Sequence, residues 1–188
     1  MRIISGKAKG KKVLIPKDKK TRPLKDMVKE SIFNIIKHSD LLRSKFDQCV
    51  ILDLFSGVGS FGLEAISRGA KKVIFFENFK PSLDMLNKNI KSLSFEKKTE
   101  IYNKNIYSEN YFTKLKYNFD IVFIDPPFKD EKIEFLFKHL FNSNKLNNET
   151  LLIIHRHKKT KDYFGENFKI LRQEIYGSSK IIFGFFTF

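Results

Sequence analysis

Asp125, Pro126, Pro127 and Phe128 follow four consecutive apolar residues in "FDIVFIDPPFKD", residues 119–130. Proline cannot donate to a sheet ladder, so both prolines must lie beyond the carboxyl end of a buried strand. In open α/β sheets that edge is where ligands bind. An acid followed by a rigid carbonyl suits one task in particular, the activation of an amine on a nucleobase. Such an amine is a poor nucleophile because its lone pair is delocalised into the ring. Asp125 accepting one N–H and the Pro126 carbonyl accepting the other would favour a pyramidal nitrogen and aim its lone pair at an electrophile, with Pro127 stiffening the turn. Phe128 can stack on the base, a contact of about 1–3 kcal/mol. The plainer reading is a stiff turn between a strand and a helix over 131–141.

A second constellation lies upstream in "ILDLFSGVGSFGLEAISRG". Gly57, Gly59 and Gly62 satisfy GxGxxG between a strand and a helix, the context a nucleotide-binding loop requires. Glu77 ends the next strand, placed to accept hydrogen bonds from ribose hydroxyls. NAD and S-adenosylmethionine both carry that ribose. Asp53, just before the loop, would repel a pyrophosphate but suits a ligand with an ammonium and a sulfonium, which favours the sulfonium cofactor. The alternative for Asp53 is a structural acid satisfying backbone amides of the turn.

These residues need a scaffold, and the chain supplies an alternating one. Candidate strands fall at 49–54, 72–77, 99–103, 119–124 and 151–155, with helices near 61–68, 81–93, 107–115 and 131–141. Strands separated by helices imply right-handed crossovers and a parallel, doubly wound sheet. At the end, "FKILRQEIYG" and "KIIFGFFTF" flank "GSS" and read as a closing β-hairpin. At the start, "RIISGKAKGKKVLIP" suits two short strands around Gly6 and Gly10. A helix follows, with Leu24, Val28, Ile32, Ile35 and Ile36 at helical spacing and Thr21 and Pro23 as start signals.

With 188 residues and 41% hydrophobic content, one well-buried core is expected. The single cysteine, Cys49, excludes an internal disulfide and reads as buried filler. Neither a signal-peptide core nor an apolar run of membrane-spanning length is visible, so a cytoplasmic protein without membrane contact is expected. Net charge is +15, and residues 1–25 hold ten basic residues against one acid. That concentration points the opening segment at a polyanion. Arg2, Lys7, Lys9, Lys11, Lys12 and Arg22 are the expected RNA contacts, mostly to phosphate.

"LDLFSGVGSFGLEAISRGA", "IVFIDPPF" and the leading "RIISGKAKGKKVLIP…TRPLKDMVKESIFN" together resemble the bacterial small-subunit ribosomal RNA guanine-N2 methyltransferases over nearly the full chain. The resemblance implies an α/β fold, a Rossmann-like class I methyltransferase. Its seven-stranded, mostly parallel sheet would have an antiparallel last strand, preceded by a small basic hairpin and helix. It implies S-adenosylmethionine as methyl donor and 16S rRNA, in the small subunit or an assembly intermediate, as partner of a monomer. Residues 1–40 would form the RNA-binding extension and 41–188 the methyltransferase domain. By position, Asp53, Gly57 and Gly59 would line the methionine portion, with Phe55 in the same cofactor loop. Glu77 would meet the ribose, and Asn105 with Ile106 the adenine edge. Leu24, Phe79 and His155 depart from the family pattern, which more often has Thr, Asp and Glu there.

His155 and His157 could suggest a metal, but no nearby Cys or acid completes a site. They read as basic contacts to RNA or as plain surface. Among rivals, an adenine-N6 methyltransferase of DNA or RNA shares the reaction class, though DNA enzymes usually carry a separate target-recognition region. A protein glutamine methyltransferase would leave the basic hairpin without a purpose. A non-catalytic assembly factor would keep the basic face without needing Asp53, Glu77 and Asp125, and a dehydrogenase would need a second substrate domain.

Overall fold

The computed structural model describes residues 1–17, 24–107 and 111–188. Five strands run parallel: β1 (Val50–Leu54), β2 (Lys72–Phe76), β3 (Thr99–Tyr102), β4 (Ile121–Ile124) and β5 (Leu151–His157). Two more, β6 (Phe168–Tyr176) and β7 (Ser179–Phe186), close the chain as a hairpin. The sheet order is β3-β2-β1-β4-β5-β7-β6, with β7 antiparallel to both neighbours. This is the seven-stranded class I methyltransferase arrangement. Four helices are present among the described residues: α1 (Asp26–His38), α2 (Ser60–Ser67), α3 (Lys80–Leu93) and α4 (Ile133–Phe141).

The central strands carry apolar runs, Val50–Leu52, Ile121–Ile124 and Leu151–Ile154, because both faces are covered. Alternate residues serve opposite cores. Ile51, Ile121 and Ile153 pack with residues of α1, α2 and α3. Leu52, Val122 and Leu152 pack with Ile133, Leu136 and Phe137 of α4. The sheet order reverses between β1 and β4, so the loops leaving those strands diverge and open a crevice at their carboxyl ends.

A column of rings ties the amino-terminal helix to the sheet. Phe33 of α1 stacks on Phe61 of α2 at 5.0 Å, and Phe61 stacks on Phe123 of β4 at 4.0 Å. Leu24, one of the departures from the family pattern, is simply buried in this core. At the other side of α1, Ser31 hydrogen-bonds the Tyr176 hydroxyl of β6.

Three sequence expectations change. The opening segment forms not two strands but a loop closed by one antiparallel bridge, Arg2 to Lys12. Some of its amides bond within the loop and others reach the body of the protein. Ile4 and Ser5 N–H donate to the buried Glu64 carboxylate, and Ala8 N–H donates to Ser67 Oγ. A Cβ at Gly6 would stand 1.9 Å from the Ser67 carbonyl oxygen, so only glycine permits this approach. In place of a helix over 107–115, the described residues form one 3-10 turn, Tyr111–Lys114. Its apolar anchors, Phe112 and Leu115, are three apart, the spacing that eclipses in 3-10 geometry. Finally, β5 continues to His157, because β7 pairs with it as far as Ser179. The start signals Thr21 and Pro23 lie outside the described residues.

Candidate active site

The glycine loop starts from a strained residue. Phe55, directly after β1, has φ of 57°, a conformation disfavoured for a bulky side chain, and its ring rests 5.8 Å from that of Tyr107. Gly57 and Gly59 also take positive φ, and α2 begins at Ser60. Gly62 has a packing role: a Cβ there would come within 2.3 Å of the Phe75 ring, so its absence lets α2 lie close on β2.

Asp53 is buried beneath this loop. Its Oδ2 accepts the Gly62 N–H at 2.9 Å, while among the described residues its buried Oδ1 has no partner. Burial pushes this carboxyl well above the usual carboxylate range, partly opposed by the Gly62 N–H and reinforced by the nearby Asp125 and Glu77 carboxylates.

Glu77, after β2, joins two loops. Oε2 accepts the Gly57 N–H at 2.7 Å, and Oε1 accepts the N–H groups of Asn78 and Phe79. Phe79 precedes α3 without a side-chain capping bond, and its backbone N–H is held by Glu77. Glu77, Phe55, Asn105, Ile106, Tyr107 and Pro127 line a cleft of about 210 Å³. Four of the expected cofactor residues thus meet in one cleft, with Asp53, Gly57 and Gly59 beneath or beside it. A larger cavity of about 510 Å³ includes Phe33, Ile36, Leu42, Phe46 and Arg68, and none of the candidate residues lines it.

The second loop follows β4. Asp125 N–H donates to the Leu54 carbonyl at 3.3 Å, which holds this loop beside the end of β1. Pro126 is buried, Pro127 is exposed, and Phe128 lies half-buried with its edge toward the rings of His155 and His157 at 5.6 and 5.4 Å. Arg156 of β5 clamps the turn from below, donating to the Pro127 carbonyl at 3.1 Å and the Asp130 carbonyl at 2.7 Å. Its own charge is met by the buried Asp162 at 2.7 Å. From the other side, the Tyr107 hydroxyl donates to Asp130 Oδ2 at 2.9 Å, joining the loop after β3 to the loop after β4. Burial and the Asp130 carboxylate raise the Tyr107 hydroxyl far above its ordinary range.

His155 requires a correction. Far from being surface, it is buried, with Nδ1 2.7 Å from Asp125 Oδ1 and Nε2 2.9 Å from Ser179 Oγ. Only His157 keeps partial exposure. A signal was present in the sequence: "IVFID" and "LLIIH" have the same form, four apolar residues and then a polar one. Parallel pairing of Ile124 with Ile154 sets Asp125 beside His155. Tyr107, Arg156, Asp162 and Ser179 left no such pattern.

Arg2, Lys7, Lys9, Lys11 and Lys12 are all exposed on the opening loop, and Arg22 lies outside the described residues. The loop runs along α2. Met1 Sδ accepts the Ser60 hydroxyl near its start, and Lys7 N–H donates to the Ser67 carbonyl at its end. Lys7 and Lys9 therefore sit near the far end of α2, about 12 Å from the glycine loop by helical rise, and Arg2 and Lys12 sit nearer. Asn89 of α3 fastens the exit, bonding both backbone groups of Leu14 and the Val58 carbonyl.

Residues 1–185 match the family described as "Conserved hypothetical protein 95". The ribosomal RNA small subunit methyltransferase D of Haemophilus influenzae is 34% identical over 181 residues, spanning 94% of this chain and 89% of that protein. The solved structure of yhhF from Escherichia coli, 26% identical, aligns with a TM-score of 0.80 over 99% of this chain and 97% of that one. An RNA methyltransferase of Salinibacter ruber, solved in complex with S-adenosyl-L-homocysteine, shares the fold at 15% identity, with a TM-score of 0.63 over 88% of this chain and 94% of its own. Matched along nearly its whole length, the chain belongs to the Conserved hypothetical protein 95 family, alongside the ribosomal RNA small subunit methyltransferase D proteins.

Proposed function

We propose that this protein transfers a methyl group from S-adenosylmethionine to the exocyclic N2 amine of a guanine in 16S rRNA of the small ribosomal subunit. The observation that carries the reading is the meeting of two loops at one sheet edge: the Asp125–Phe128 turn and the acid-lined cleft beside Asp53 and Glu77. The names of the relatives, ribosomal RNA small subunit methyltransferase D, supply the RNA class.

The residues fit the cofactor. The buried, unpartnered oxygen of Asp53 calls for a donor, which an ammonium provides and a pyrophosphate does not. Asp53, Phe55, Gly57 and Gly59 would hold the methionine portion, Glu77 the ribose, and Asn105 with Ile106 the adenine. Carboxylate oxygens each accept more than one bond, so Glu77 retains capacity after taking its backbone N–H groups. When bound, S-adenosylmethionine supplies an electrophilic methyl group on a positively charged sulfur.

Asp125 and the Pro126 carbonyl accept the two N–H bonds of the target amine. The neighbouring Pro127 carbonyl is committed to Arg156, which holds the turn in place before the base arrives. Guanine offers adjacent N1–H and N2–H donors to an acceptor-only carboxylate, whereas adenine N6 lies beside an acceptor. Phe128 stacks on the base. Residues 1–40 serve as the RNA-binding extension of a methyltransferase domain at 41–188, and a ribosomal substrate implies a cytoplasmic location.

The test is transfer of labelled methyl to unmodified small subunits, protein-free rRNA and duplex DNA, followed by digestion to nucleosides. Label in N2-methylguanosine from rRNA is the expected result. Label in an adenine derivative contradicts the assignment of the base, and label absent from all RNA overturns the substrate class.

A further inference from the structure

His155 is a buried titratable side chain that touches the reacting edge and takes no part in the scheme above. Its ring is fixed at three points. Nδ1 lies 2.7 Å from Asp125 Oδ1, Nε2 lies 2.9 Å from Ser179 Oγ, and Phe128 presents its ring edgewise at 5.6 Å. The backbone supports this arrangement. β4 and β5 are in parallel register up to Ile124 and Ile154, and β7 begins at Ser179 opposite His157. Three elements distant in sequence therefore converge on one imidazole.

The protonation pattern follows from the partners. An ionised carboxylate only accepts, so the nitrogen facing Asp125 carries a proton, and Nε2 shares a hydrogen bond with the Ser179 hydroxyl, which can donate or accept. Both nitrogens are thereby occupied, which removes His155 as a base acting on the substrate. What it does control is Asp125. The terminal torsion of an aspartate is broad, so an unrestrained carboxylate samples many orientations. A hydrogen bond on Oδ1 fixes the carboxylate plane, leaving Oδ2 and the second lone pair of Oδ1 to meet the adjacent donors of an incoming guanine.

We propose that His155 is a positioning residue for Asp125, its Nδ1–H on the carboxylate and its Nε2 anchored on Ser179, so that the carboxylate is oriented before the target base enters. The proposal rests on the reading of Asp125 as the group that accepts the amine N–H.

The experiment compares native protein with His155→Leu, His155→Asn, Ser179→Ala and Asp125→Asn in labelled methyl transfer to unmodified small subunits, together with cofactor affinity by calorimetry and melting temperature. His155→Leu is expected to lower kcat about tenfold to a hundredfold, the scale of a misplaced catalytic group, with both KM values nearly unchanged. His155→Asn keeps an N–H donor near the Nδ1 position and is expected to recover most of that loss, and Ser179→Ala should lower kcat less than His155→Leu does. Equal rates for the Asn and Leu variants, or a native rate in His155→Leu while Asp125→Asn is inactive, overturn the positioning role alone. A native rate in Asp125→Asn overturns the catalytic reading itself. One readout needs no substrate: ¹⁵N spectra of the histidine rings should show His155 protonated at Nδ1. A ring protonated only at Nε2 overturns the proposal even if the variants fail to fold.

Discussion

The loop after β1 and the loop after β4 face one another across a crevice, yet they are built by different means. The first is held mainly by its own backbone and by nearby residues, with Gly62 N–H on Asp53, Gly57 N–H on Glu77 and a Cβ-free contact of Gly62 on Phe75, supplemented by Asn89 on the Val58 carbonyl. The second is held by side chains about thirty to fifty residues downstream: His155 on Asp125, Arg156 on Pro127 and Asp130, with Ser179 and Asp162 behind them. The terminal hairpin is thus more than an edge for the sheet. Through Ser179 it reaches the residue that orients Asp125. The loop after β1 can be written as a local motif, whereas the turn after β4 depends on the strand that pairs beside it.

This difference implies that damage to the supports of the second loop spreads furthest. Arg156→Met removes the clamp and leaves Asp162 with only the longer Lys180 contact at 4.0 Å, so the loss should approach but not exceed about 3–5 kcal/mol, the cost of a broken buried pair. Its melting temperature should fall by several degrees and turnover should drop beyond what the loss of stability explains. If both stay near native values, the clamp is dispensable.

Asp53→Asn acts on the first loop only. Loss of one buried charged contact should weaken S-adenosylmethionine binding by about 1.5–3 kcal/mol. The sign of its pH effect follows from the upward shift of this carboxyl. A carboxyl whose folded value is raised stabilises the ligand-free protein at low pH and loses that contribution as pH rises through the raised value. Ionisation over the same interval creates the charge that an ammonium needs. Native cofactor affinity should therefore decline on acidification at a pH above the ordinary carboxylate range, and the Asn variant should be flat there. Calorimetry across that interval decides it, and parallel curves would contradict the role given to Asp53. Gly62→Ala should cost about 1–3 kcal/mol through overpacking on Phe75, read by denaturant unfolding.

The smallest effects belong to the opening loop. Neutralising Lys7 and Lys9 together, or Arg2 and Lys12 together, should each flatten the salt dependence of RNA binding by about 0.7 per lost phosphate contact on single strands. The pair nearer the glycine loop should affect methyl transfer more. Equal effects would mean that the RNA path does not follow α2.

Much of the sheet was legible because apolar runs such as Ile121–Ile124 and Leu151–Ile154 need two covered faces, and prolines and glycines mark their ends. The glycine loop was legible because GxGxxG between a strand and a helix is a local motif, whereas the cleft beside it also draws Asn105, Ile106 and Pro127 from other loops. The helix expected over 107–115 was misread because Phe112 and Leu115 supply anchors for a single turn. Although the matching forms of IVFID and LLIIH placed it beside Asp125, His155 was misread because its burial depends on β7 pairing past the apolar run of β5, a long-range event. The bonds of Ser67, Glu64 and Asn89 to the opening loop, at separations of 59 to 75 residues, were invisible for that reason too.

The most direct test of two loops with two duties is to measure S-adenosylmethionine affinity and single-turnover methyl transfer side by side in native protein, Asp53→Asn and Asp125→Asn. Asp125→Asn should bind cofactor within about twofold of native and transfer methyl about a hundredfold or more slowly, the scale of losing an oriented stabilising group, while Asp53→Asn should lose affinity first. Parallel loss of affinity and turnover in Asp125→Asn, or native transfer by that variant, would contradict the division of labour between the two loops.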